Sequence, residues 1–203
     1  MKLHHKLLLL AALSLTIIFV LKASSLQIQQ SLYGFLSPSK PIRAEVLVVE
    51  GWLSECMLKE ASEEYLHGNY SYCLISGKKD DSPRSPVKAL IRYGIDSSAI
   101  KFTEAKMKKG YNTFYMAHAA HEWLKTNDQK ISKINVFTAG PHSRKSWIIF
   151  KRVFGNRYEI GVLSANLENC NTQLWWKSKR GVHYLVKYGL GYLYALLWPL
   201  NLE

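Results

Sequence analysis

Val136-Phe-Thr-Ala-Gly-Pro-His-Ser-Arg-Lys-Ser146 decides the fold. An apolar strand pattern carried by Ile134, Val136 and Phe137 runs into a Gly-Pro turn and then into a helical pattern, the signature of a strand feeding the helix of a crossover unit. In an open parallel sheet, ligands bind where strand carboxyl ends face helix amino ends, because unpaired helical N–H groups and the helix dipole favour negative charge there. His142, Arg144 and Lys145 stand on that turn and are candidate holders of an anionic group. The alternative is that His142 caps the helix and the two cations are solvated.

Outward from this turn, strand and helix patterns alternate from Ala44 onward. Strands are expected near 45–50, 72–76, 99–103, 133–139 and 158–163, and helices near 54–67, 84–94, 113–126, 142–154 and 176–196. The fold class is therefore α/β: a three-layer, Rossmann-like parallel sheet of about five strands with helices on both faces, preceded by one N-terminal transmembrane helix. Ser54, Ser82-Pro83 and Asn112 mark helix starts, since each type can accept a bond from an unpaired N–H.

Two further strand ends repeat the design of the first, and one helix start joins them. Ala44 to Trp52 ends in Glu50-Gly51-Trp52, Cys73 to Lys78 ends in Ser76-Gly77-Lys78, and Tyr111-Asn112-Thr113 opens a helix. Glu50 and His142 could approach one another in a doubly wound sheet. A carboxylate beside an imidazole orients it or raises its pKa, which suits general acid and base work; the alternative is a solvated Glu50 or a Glu50–Arg144 pair. Ser76 and Gly77 lie on a tight turn whose N–H groups can cradle an oxyanion, and Gly51 lies on its counterpart. Asn112 and Thr113 read equally well as a cap and turn or as ligand contacts.

Taken in order, these four junctions resemble the DUF218 family, the group of YdcF-, SanA- and ElyC-like proteins, and in particular a membrane-anchored branch with Glu-Gly-Trp-Leu after strand 1, here Glu50 to Leu53. The resemblance covers about residues 40 to 195. It implies a crevice at the strand carboxyl ends, a place in the cell envelope and a link to peptidoglycan or surface-barrier processes. Two departures stand out. The family's Ser-x-Asn-Thr-x-Glu-Asn is replaced by Gly110-Tyr-Asn-Thr113 followed by Phe114 and Tyr115, without the glutamate. Its His-x-x-Arg becomes His142-x-x-Lys145, with Arg144 one place earlier, which exchanges a planar fork for a point charge.

The net charge of +12 over 203 residues suits an anionic lipid or a phosphorylated substrate. Nucleic acid is not expected as a partner, because the cations are scattered and no recognisable DNA or RNA module is present. Leu7 to Leu21 carries no charge and is bounded by Lys6 and Lys22. As a helix it would span about 22 Å, short of the roughly 30 Å hydrocarbon core, but Leu3, Leu26 and snorkelling lysines extend it. Lys22, between the apolar run and the small residues Ala23 to Ser25, favours an uncleaved signal anchor over a cleaved signal peptide. The expected organisation is a cytoplasmic segment 1–6, a single-pass anchor 7–25, a linker 26–41 and an α/β domain 42–203. The positive-inside rule places the domain on the extracytoplasmic side of the inner (cytoplasmic) membrane. Val182 to Leu200 suits an amphipathic helix, packed on the domain or lying at the membrane surface, better than a second span.

Cys56, Cys73 and Cys170 form no Cys-x-x-Cys motif, and an odd count argues against a disulfide framework while leaving room for one bridge. No metal site is expected. Asp80 and Asp81 are adjacent and diverge, and His118, His121 and Glu122 do not follow a zinc spacing. Trp175-Trp176 reads as packing, or as a face on which a sugar could stack. The reaction expected is hydrolysis or transfer on a phosphorylated or glycosylated envelope precursor, with His142 as general acid or base; no cofactor is specified. The alternatives are a non-catalytic binder of a nucleotide-like or lipid-phosphate ligand, and an envelope scaffold.

Overall fold

The computed structural model describes residues 14–15, 27–107, 110–166 and 179–197. Five strands, β1 (Val46–Glu50), β2 (Tyr72–Gly77), β3 (Ile100–Glu104), β4 (Lys133–Ala139) and β5 (Glu159–Ala165), form one parallel sheet in the order β3-β2-β1-β4-β5. Helices α2 (Glu55–His67), α3 (Pro86–Arg92), α4 (Asn112–Asn127) and α5 (Ser143–Phe154) connect them. Residues 27–36 form a helix, α1, and Lys179–Leu197 form α6. This is the expected Rossmann-like α/β architecture. The transmembrane helix expected over 7–25 falls outside the described residues except at Ser14 and Leu15, and among the described residues no helix is long and apolar enough to cross a membrane.

Strand alternation sorts the core into two layers. Val46, Val48, Leu74, Ile134, Val136 and Ile160 pack with Ala117, Ala120 and Leu124 of α4 and with Ile149, Phe150 and Phe154 of α5. Leu47, Val49, Cys73, Ile75, Phe137 and Leu163 pack with Leu58 and Ala61 of α2 and with Ala89 and Leu90 of α3. Each fully buried aliphatic chain contributes about 1.5–3 kcal/mol. Two period steps beyond Val46, Glu50 falls on the α4/α5 face.

The segment 26–41 differs from the expected linker. Residues 27–36 are helical, because Leu36 finds an apolar partner in Leu185 of α6, with Tyr33 and Tyr192 packed around them. The helix stops before Ser37-Pro38, as the restricted backbone ahead of a proline requires. Lys40 then exchanges both backbone bonds with Val162, at 2.7 and 3.1 Å, and covers the free edge of β5. Asn135 fixes Ile42, two residues on, accepting from its N–H (3.0 Å) and donating to its carbonyl (2.9 Å).

Candidate functional site

β1 lies between β2 and β4, so the chain winds one way from β1 to β3 and the other way through β4 and β5. The crevice between the carboxyl ends of β1 and β4 is the switch point of such a sheet. Glu50 ends β1, and the short 3-10 turn Gly140–His142 follows β4 and leads into α5.

Glu50 is fully buried, a position a carboxylate occupies only when its oxygens are satisfied. Oε2 accepts from Trp52 Nε1 (2.8 Å) and Thr138 Oγ1 (2.6 Å), and Oε1 accepts from Ser146 Oγ (2.7 Å). Burial nevertheless raises the Glu50 pKa above the ordinary carboxyl value, against the lowering effect of these three donors and of the Lys145 charge.

His142 is 8% exposed. Its Nε2 lies 3.1 Å from Thr113 Oγ1 and 3.9 Å from Glu50 Oε2, the second distance too long for a hydrogen bond. Trp52 and Tyr188 meet the ring edge-to-face, with centroids at 5.1 and 5.3 Å. Nδ1 is buried without a hydrogen-bond partner. Of the two effects expected of Glu50, orienting the imidazole or raising its pKa, the second is corrected: burial first, then the charges of Lys145 and Lys187, push the His142 pKa down to about 3. The imidazole is therefore neutral at physiological pH. It occupies the N-cap position of α5 but makes no side-chain cap bond.

Lys145 is half-buried beside this pair. Its pKa is lowered by desolvation and by Lys187, with Glu50 acting in the opposite direction. Together with Thr113, Tyr111, Phe114, Ile149 and Tyr194 it lines a small pocket between α4, α5 and α6. Arg144 points elsewhere: its Nε bonds the Phe35 carbonyl and its guanidinium lies 3.9 Å from the Phe35 ring centroid. It anchors α1 in place of the anion-holding role expected beside Lys145, and the alternative Glu50–Arg144 pairing is absent.

The remaining expected residues divide. Thr113 is buried and reaches His142, whereas Asn112 is exposed at the start of α4, where Tyr111 holds the N-cap position without a side-chain cap bond. Ser76 donates to the Met116 carbonyl (2.7 Å) and is fully buried, so its hydroxyl is committed to α4. Gly51 and Gly77 serve one another. The Gly51 N–H bonds the Ser76 carbonyl at 2.8 Å, and a Cβ on Gly77 would stand 2.8 Å from Gly51 Cα, so neither turn has room for a side chain. Trp52, Thr138, Ser146, Lys187 and Tyr188 complete the site without having been singled out. Ser146 was the most accessible to spacing alone, since four residues after His142 it shares that helical face.

Among the described residues no group of three His, Cys, Asp or Glu side chains could hold a metal ion. His121 packs against Phe154 and Tyr158, and Asp80 accepts from the Ser82 N–H. Cys73 is buried and free, whereas Cys56 is disulfide-bonded; Cys170 lies outside the described residues, as does Trp175-Trp176. No protein-family model matches the chain, and no curated protein is significantly similar to it in sequence.

Proposed function

We propose that this is a single-pass, membrane-anchored cell-envelope protein of DUF218 type that acts on a phosphorylated or glycosylated envelope precursor in the β1/β4 crevice. In this reading Lys145, with Lys187 near it, holds the anionic group. His142 takes a proton from the attacking water or hydroxyl; Thr113 sets the imidazole in place, and Glu50 beside it stabilises the imidazolium that forms. The observation that carries the proposal is the convergence of Glu50, Thr113, His142 and Lys145 at the switch point, with His142 Nδ1 buried and unpartnered. A polar atom in that condition costs stability, which is the mark of a group kept for a ligand. The disulfide at Cys56 supports an extracytoplasmic, oxidising location.

A second reading is a non-catalytic domain that binds a nucleotide-like or lipid-phosphate ligand in the same crevice. Two observations favour it: the Ser76 hydroxyl is committed to α4, and an imidazole with a pKa near 3 is a weak base until a ligand changes its surroundings. The full chain, wild type and His142→Ala, incubated with envelope lipids and nucleotide-linked sugars and followed by mass spectrometry, separates them. A product formed by wild type alone supports the enzyme; ligand retained without product supports the binder; neither leaves an envelope scaffold.

A further inference from the structure

Helix α6 has two apolar faces, and the domain covers only one. Leu185 is buried with Leu36, Tyr188 meets His142, Tyr192 meets Phe35 edge-to-face and Ala195 is buried in the core. Val186, Leu190, Leu193 and Leu197 recur at spacings of four, three and four, one stripe along a helix, and are 53%, 63%, 51% and 83% exposed. Helix α1, packed beside α6, exposes Ile28, Leu32 and Phe35 at spacings of four and three. Large exposed apolar surfaces of this kind mark interaction sites.

The charge around the stripe selects the partner. The 19 residues of α6 contain Lys179, Arg180, His183 and Lys187 and no acidic residue, and the chain as a whole carries +12. A second copy would bring the same cations against these, whereas anionic headgroups complement them. Exposed Tyr184 and Tyr194 suit the boundary between headgroups and water. The reach of the chain agrees: residues 22–26 separate the uncharged run ending at Leu21 from α1, a span of at most about 20 Å.

We propose that the outer stripe of α6, together with that of α1, is a docking surface for an anionic lipid bilayer, with α6 lying in the plane of the interface. This rests on the membrane-anchored reading above. Its consequence is that the helix covering His142 is also the helix that engages the membrane, so docking and access to the crevice belong to one element.

The test uses the full chain in lipid nanodiscs, with Leu190→Cys carrying an environment-sensitive fluorophore and Lys130→Cys, an exposed position ahead of β4, as reference. The unsubstituted chain gives the labelling background. Doxyl-labelled lipid is expected to quench the Leu190 position at least twofold more than the Lys130 position in discs containing phosphatidylglycerol, and not in discs of phosphatidylcholine alone. Adding Val186→Glu and Leu193→Glu, both at exposed positions, should abolish the difference without unfolding the domain. Retention after an alkaline wash reports separately on the anchor. A retained chain with Leu190 unquenched overturns docking. Equal quenching in both lipids overturns the anionic preference, and energy transfer between labelled copies without lipid quenching reassigns the stripe to a second copy. A chain that washes off but is quenched at Leu190 refutes the anchor and leaves docking standing.

Discussion

The two faces of the sheet use the same five strands and end differently. On the α2/α3 face, Leu47, Val49, Cys73, Ile75, Phe137, Ala139, Leu163 and Ala165 keep the layer apolar up to the strand ends. On the α4/α5 face the apolar layer gives way at its last step to Ser76, Glu50 and Thr138, adjacent on β2, β1 and β4, all fully buried. Removing polar groups from water costs free energy that packing alone does not return. The first face is therefore organised for stability. The last layer of the second trades stability for a charge and an imidazole at the switch point.

The lower layers should be equivalent in strength, and large truncations test this first. Phe150→Ala on one face should cost about 3–5 kcal/mol, and Leu90→Ala on the other about 2–5 kcal/mol, in denaturant unfolding. Both side chains are fully buried. A cost below about 1 kcal/mol for Phe150→Ala would show that the α4/α5 face is not a core, and the contrast would collapse.

The pH dependence tests the upper layer. His142 has a folded pKa near 3, below its ordinary value of 6.5, so between those values the unfolded chain binds more protons. Its contribution to stability is complete above pH 6.5 and is lost as the pH falls toward 3. Glu50 acts in the opposite sense: its raised pKa means that stability declines as the pH climbs above 4.5 toward the folded value. Between pH 6.5 and 5 the wild type should therefore lose about 1.6 kcal/mol more than His142→Asn, since the unfolded imidazole goes from half to almost fully protonated at about 1.4 kcal/mol per proton per pH unit. Parallel profiles for the two proteins would mean that the imidazole is not held neutral.

Lys145 and Arg144 provide a sharper contrast within one turn of helix. Lys145→Met should weaken binding of an anionic ligand about tenfold, roughly 1.4 kcal/mol. Arg144→Met should leave binding unchanged and loosen α1, measured as faster proteolysis near residue 36. Equal effects on binding would return Arg144 to the crevice.

Much of this was legible in the order of the residues, for physical reasons. Strand and helix positions follow from periodicity, and the site lies at strand ends because parallel sheets leave their crevice there. The direction of Arg144 was open to the same kind of argument, although it stood with Lys145 among the expected anion holders. Residues 142, 145 and 146 share a helical face, whereas 144 lies about 200° from 142, so only Lys145 could join His142. Helix α1 was not legible, since its burial depends on Leu185 near the other end of the chain. Nor was the neutrality of His142, which arises from burial first and then from the charges of Lys145 and Lys187, because Lys187 and the covering Tyr188 stand on a helix that spacing cannot place over the crevice. Local patterns specify elements; contacts between distant segments decide which side chains are enclosed.

Ser76 provides the smallest effect and the finest test of where stability ends and function begins. Its hydroxyl bonds a carbonyl inside α4, and the helical ladder already supplies that carbonyl with a donor. Ser76→Ala removes the donor and leaves no polar hydroxyl stranded, so it should cost about 1 kcal/mol or less in thermal unfolding. Ligand binding and turnover should remain at the wild-type level, because the hydroxyl ties β2 to α4 and does not face the crevice. A well-folded Ser76→Ala protein that had lost binding or turnover would place Ser76 among the groups that contact the ligand. The polar layer would then serve function from β2 through β4, instead of serving structure at β2 and function only where Glu50, bonded by Thr138, stands beside His142.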